Sequence, residues 1–137
     1  MRRAVLDSNV LVSALITPGG PSGRLLEAVW TGELELVVSP RLLAELETVL
    51  ERKKLRRYFD LATGRAFCEV LRSEAQMAPD PDEQAPLRSA DPKDDYLLAL
   101  AFSQSSRLIS GDSHLLDLAE VGAPICAPAD FLAAAPA

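Results

Sequence analysis

Four short apolar runs limit most strongly what this chain can fold into: RAVLD at 3–7, LELVV at 34–38, RLIS at 107–110 and PICA at 124–127. Between them lie amphipathic stretches of helical character at 22–31, 40–52, 61–76, 93–104 and 113–120, with a last one near 128–134. Such strand–helix alternation predicts a parallel α/β sheet flanked by helices on both faces. A further short extended piece fits near 75–78. Pro40, Pro92 and Pro128 each stand where a first helical turn should begin, a position where the missing N–H of proline does no harm.

The 137 residues suit a single domain, expected to span 1–137, because single domains commonly run to about 100–200 residues. A chain of this size buries roughly two-thirds of its unfolded surface and needs no metal or disulfide staple. Cys68 and Cys126 lie far apart without a CxxC pattern, which argues against a disulfide framework or a structural zinc site and for buried free thiols. Asp7 and Asn9 interrupt the apolar segment after Arg2 and Arg3, so a secretory leader is not expected. No stretch approaches the about 18 uninterrupted apolar residues of a membrane span, and the expected location is cytoplasmic. A net charge of −6 counts against a protein that simply coats nucleic acid, since such binding rests on surplus Lys and Arg. It leaves room for an acidic site neutralised by metal ions.

The segment AVLDSNVLVSAL at 4–15 places a carboxylate where an apolar run could have continued, and such a charge at a core edge needs compensation. Asp7 could serve as a helix N-cap or as a functional group, and Asp112, after the glycine of LISGD, has the same two readings. In the second long helix, Leu42, Leu43, Leu46, Val49 and Leu50 form the apolar stripe. Glu45 and Glu47 flank opposite edges of it, and periodicity does not choose between them. Glu45 is nearer the helix start. In SADPKDDYLLALAF, Asp91 suits an N-cap before Pro92, and Asp94 suits a first helical turn. Asp95 is less easily explained structurally, because Leu98, Ala99 and Phe102 turn its side of the helix toward the core. It is the preferred functional aspartate, with Asp94 as the alternative.

Taken together, Asp7 and Asp112 follow strands, while Glu45 and Asp95 lie near helix starts. In a parallel sheet such positions converge at the carboxyl ends of the strands, where these folds bind ligands. Four mutually repelling carboxylates would need protons or cations, and hard oxygen donors suit Mg²⁺ or Mn²⁺. The segment at 78–92, rich in prolines and acids, is expected to be a surface loop leading into the helix at Pro92.

The order of AVLDSNVLVSAL, SPRLLAELETVLERKKLRRY, DPKDDYLLALA, LISGDSHLL and PADFL resembles PIN-domain ribonucleases, in particular the VapC-like toxins of toxin–antitoxin pairs. The resemblance covers nearly the whole chain. It implies Asp7, Glu45, Asp95 and Asp112 as catalytic and metal-holding acids, with Asn9, Ser110 and Asp94 supporting them. It also implies an RNA substrate, a cognate antitoxin protein, and a homodimer. Hydrolysis by water would leave a 5′-phosphate and a 3′-hydroxyl, with one or two metal ions assisting. No histidine is required, and His114 reads as a surface residue of a helix start.

Arg52, Lys53, Lys54, Arg56 and Arg57 form a basic cluster. It is either a solvated helix end, with cations near the C-terminal dipole, or a patch that tracks RNA phosphates. Tyr58 and Phe59 are expected to pack into the core, and Trp30 in the core or at a dimer surface. A second functional reading is a non-catalytic nucleic-acid or protein interaction module on the same fold. A phosphatase reading lacks a DxD after the first strand, because Asn9 follows Ser8. A receiver-domain reading lacks an evident phosphoacceptor aspartate and a late lysine.

Overall fold

A computed structural model describes residues 2–82 and 94–134 of the chain. Its elements run β1 (Arg2–Leu6), α1 (Ser8–Ile16), α2 (Pro21–Trp30), β2 (Leu34–Val38), α3 (Pro40–Leu50), a 3₁₀ segment (Lys53–Arg57), α4 (Leu61–Glu74) and β3 (Gln76–Met77). The second half holds α5 (Asp95–Ser103), β4 (Arg107–Ile109), α6 (Ser113–Leu116), a 3₁₀ segment (Asp117–Val121), β5 (Ile125–Cys126) and α7 (Pro128–Ala133). The strands form one parallel sheet of five in the order β3-β2-β1-β4-β5. Ala4, Val5, Leu6, Leu36, Val37, Val38, Leu108 and Ile109 are all buried, as expected of strands covered on both faces. With this strand order, right-handed crossovers would put the helices of the β1–β2–β3 half and α5 on opposite faces. Accordingly α1 packs on α2 and α3, and α3 on α4, while α5 contacts β1 and β4.

The chain leaves β1 to one side for β2 and β3, then returns to its other side for β4 and β5. Strand order therefore reverses between β1 and β4, the switch point at whose carboxyl ends open α/β sheets form their ligand crevice. The backbone N–H of Asp7 donates to the Ile109 carbonyl at 3.1 Å, and that of Ser110 to the Cys126 carbonyl at 3.1 Å. Both residues are thereby fixed at the rim of that crevice.

Several expectations change. Helix α1 occupies a stretch without a predicted helix. Ser8, Val10, Leu11, Val12 and Ala14 are all buried there, so no polar stripe marks the helical period, and its β-branched residues favour strands. The expected helix at 113–120 is instead α6 followed by a 3₁₀ segment, ending where Gly122 takes the left-handed region at φ 96°. Tyr58 is 53% exposed rather than core, and Trp30 is 43% exposed; Phe59 does pack against the core. Cys68 is buried and Cys126 partly buried, both as free thiols. Pro40 and Pro128 open α3 and α7. Asp91, Pro92 and most of the expected loop lie outside the described residues. Among the described helices none is long and apolar enough to cross a membrane.

One glycine is demanded by close approach. A Cβ on Gly23 would collide with the backbone of Pro18, so the turn joining α1 to α2 closes only over a hydrogen atom. Gly23→Ala is expected to cost about 1–3 kcal/mol, the usual penalty of overpacking. Denaturant melts of both proteins check this; an unchanged midpoint would show that the turn yields freely.

Candidate active site

The two capping positions that follow β1 and β4 hold the centre of the crevice. Asp7, with extended backbone at ψ 165°, caps α1: its Oδ1 accepts from the Val10 N–H at 2.8 Å. An ordinary cap sits in water. Asp7 is only 5% exposed, and its Oδ2 accepts from the Ser110 hydroxyl at 2.5 Å. Ser110, fully buried, in turn accepts from the Asp112 N–H at 3.0 Å. The Ser110 hydroxyl thus joins the end of β1 to the loop after β4. Asp112 caps α6, its Oδ1 accepting from the His114 N–H at 2.8 Å.

Glu45 reaches the same region from α3, whose start is firmly satisfied. Ser39 Oγ accepts from the Leu42 N–H at 3.2 Å, and Asp80 Oδ2 accepts from the Arg41 N–H at 3.0 Å. Pro40 has no N–H to satisfy. Glu45 Oε2 accepts from the Tyr96 hydroxyl at 2.8 Å. Glu47, on the other edge of the helix stripe, is paired instead with Arg72 of α4. The structure therefore separates the two glutamates that periodicity left equivalent: one faces the crevice, the other ties two helices together.

Electrostatics links the acids. Burial pushes the Asp7 carboxyl above the usual aspartate range, and the charges of Asp112 and Glu45 push it further. The bonds from Ser110 and Val10 oppose this without cancelling it. Among the described residues no Lys, Arg or His forms an ion pair with Asp7, Glu45 or Asp112. Buried Asp7, together with the two carboxylates whose charges reach it, forms a donor set suited to a hard cation. No three His, Cys, Asp or Glu side chains among the described residues close into a ready-made metal group, so a bound ion would have to draw them together.

The remaining candidates are placed as follows. Asp94 stands at the N-cap position of α5 with helical dihedrals and makes no side-chain cap bond, and Asp95 is in its first turn; both are partly buried. The charge of Asp94 reaches Tyr96, the next residue but one. Asn9 is exposed on the first turn of α1 and makes neither of the bonds that hold Asp7. His114 is exposed. The basic cluster lies beyond the C-terminal end of α3, more than a helical turn past Glu45. Arg56 folds back there to donate to the Leu50 carbonyl, whereas Arg52, Lys53, Lys54 and Arg57 are exposed. Sequence reasoning missed Tyr96 and Arg41. Tyr96 is 8% exposed and holds Glu45, and the Arg41 guanidinium lies 4.2 Å over its ring. No sequence signal singles out Tyr96 within its helix, and only the fold reveals the partner of its hydroxyl.

Comparison with known proteins follows the same outline. Over 118 residues the chain is 27% identical to the uncharacterized protein MJ1680 of Methanocaldococcus jannaschii, covering 85% of this chain and 74% of that one. The crystal structure of PAE2754 from Pyrobaculum aerophilum matches with a TM-score of 0.61 at 18% identity, covering 96% of this chain and 87% of that one. VapBC2 from Rickettsia felis, solved bound to a DNA fragment from their promoter, matches with a TM-score of 0.61 at 14% identity, covering 90% and 96%. These two structures share the fold. The sequence model of the PIN domain matches residues 3–114, a span that runs from β1 past Asp7, Glu45, Asp95 and Asp112 to the start of α6. The chain belongs to the PIN domain family.

Proposed function

We propose that this protein is a metal-dependent endoribonuclease and the toxin of a toxin–antitoxin pair. Membership in a family of nucleases that generally use divalent metal ions supports the reaction class. The observation that carries the reading is Asp7: a carboxylate oriented by two hydrogen bonds and raised by its burial and then by two neighbouring acids. Mg²⁺ or Mn²⁺ held by Asp7, Glu45, Asp95 and Asp112 would supply Lewis acidity to a water nucleophile and to the charge that builds on the phosphate.

The chain's own residues prepare that centre. The Val10 N–H and the Ser110 hydroxyl fix both oxygens of Asp7, so no rotamer search precedes binding. Tyr96 holds Glu45 in the same way, and Asp94 is assigned to the rim beside it. Arg52, Lys53, Lys54 and Arg57 offer exposed cations to a longer RNA, and Arg56 serves mainly to close the end of α3.

The partners inferred are RNA, a cognate antitoxin and a second copy of the chain. VapBC2 of Rickettsia felis, which shares the fold, supports the antitoxin. An apolar hollow lined by Leu15, Pro18, Leu26, Trp30, Phe67 and Val70 supports a protein-covered face. The same reading makes the chain one catalytic domain acting in the cytoplasm, where it would meet RNA.

The test is incubation with a mixed RNA pool in Mg²⁺ or Mn²⁺, followed by end analysis of the products. Cleavage to 5′-phosphate and 3′-hydroxyl ends, abolished by EDTA, is expected. A non-catalytic binding module is the competing reading, favoured by the cap bonds that Asp7 and Asp112 already make. No cleavage at all, or a cleavage unchanged by Asp7→Asn that marks a contaminating nuclease, would support it.

A further inference from the structure

The acids that would hold the metal also repel the RNA they would cut. A chain of net charge −6 needs a cation close to the centre, and the basic cluster stands at the far end of α3. Arg41 is differently placed. It lies in the first turn of α3, one turn before Glu45, with its backbone pinned by Asp80. Its side chain is exposed, and its guanidinium stacks 4.2 Å over the ring of Tyr96. Among the described residues it enters no ion pair.

The ring beneath it is equally constrained. Tyr96 is buried, and its hydroxyl donates to Glu45 Oε2 at 2.8 Å. Stacking fixes the plane of a guanidinium while leaving its N–H groups at the edge free to meet a phosphate. Resting on the reading of this site as a metal-dependent ribonuclease, we propose that Arg41 clamps an RNA phosphate next to the scissile one, held in place by Tyr96, which also positions Glu45. One side chain thus sets the distance between the acid that holds metal and the cation that holds substrate. Arginine suits the task because its planar fork matches phosphate oxygens.

Two variants separate the roles. Binding of a labelled single-stranded RNA is followed by anisotropy in Ca²⁺ across a salt series, and Mn²⁺ binding by thermal shift without RNA. Arg41→Ala is expected to weaken RNA binding roughly tenfold and to reduce the slope of log affinity against log salt by about 0.7, one phosphate contact on a single strand. Its Mn²⁺ midpoint stays within twofold of wild type. Tyr96→Phe keeps the ring and the stack, and is expected to weaken Mn²⁺ binding about tenfold, as loss of a group orienting a ligand does. Its RNA salt slope stays unchanged. Arg41→Lys is expected to recover the slope but only part of the affinity.

An unchanged slope in Arg41→Ala, an unchanged Mn²⁺ midpoint in Tyr96→Phe, or equal losses of both properties in both variants overturns the assignment. The nuclease reading fails separately. If wild type cuts no RNA while the two variants still show the split pattern, the pair stands and the catalysis does not. If wild type cuts RNA and Arg41→Ala binds it with the same slope, the reverse holds.

Discussion

Asp7→Asn is expected to remove RNA cleavage by on the order of 10⁴-fold, the scale of losses when one member of a catalytic set is taken away. The same change is expected to make the metal-free protein relatively more stable as pH rises. The two effects have one origin. The Asp7 carboxyl is raised above an ordinary aspartate, 3.8, mainly by burial and then by Asp112 and Glu45. A raised carboxyl binds its proton more tightly in the folded state than in the unfolded one. Its favourable contribution is therefore complete below pH 3.8 and is lost as pH climbs through the folded value. Asparagine carries no such charge and keeps an oxygen for the Val10 N–H. In EDTA, the melting temperature of Asp7→Asn minus that of wild type should grow between pH 3.5 and pH 7 by a few degrees, about 1 kcal/mol being worth roughly 4 °C in a domain of this size. A difference independent of pH would show that Asp7 is no more strained than a surface cap.

Ser110→Ala is expected to be the most damaging small change in the molecule. One hydroxyl donates to Asp7 Oδ2 and accepts from the Asp112 N–H. Its removal leaves a buried carboxylate oxygen and a partly buried amide unpaired, at about 1–3 kcal/mol for each group that stays dry. The hydrogen bond also lowers the Asp7 carboxyl, so its loss lets burial raise that group further. The acidic limb of the pH–rate profile should consequently move to higher pH, while the alkaline limb stays. Ser110→Thr, which keeps the hydroxyl, should restore the limb even where the extra methyl lowers stability. A uniform drop in activity with an unmoved limb would make Ser110 a packing residue only.

The parallel sheet was legible because β1, β2 and β4 are short apolar runs bounded by turns, a pattern set by burial on both faces. Helix α1 was not, because a helix buried nearly all round carries no contrast between faces. Asp7 and Asp112 were legible as acids closing strands, and the capping reading is realised in both; their functional reading is the proposal made above. The separation of Glu45 from Glu47 was not legible. It depends on Tyr96 and Arg72, which arrive from helices distant in sequence. The basic cluster shows the converse limit. Its charges are plain in the sequence, yet Arg56 is drawn onto the end of α3 by carbonyls that only the folded helix presents.

The most direct test of the central claim, that Asp7 anchors a cation site, needs no substrate. Wild type and Asp7→Asn are melted with increasing Mn²⁺ near neutral pH. Occupancy at 100 times the Kd adds about 2.7 kcal/mol. The account predicts a rise of several degrees for wild type that saturates with metal and is absent in Asp7→Asn. Equal shifts in both proteins, or none in either, would contradict it.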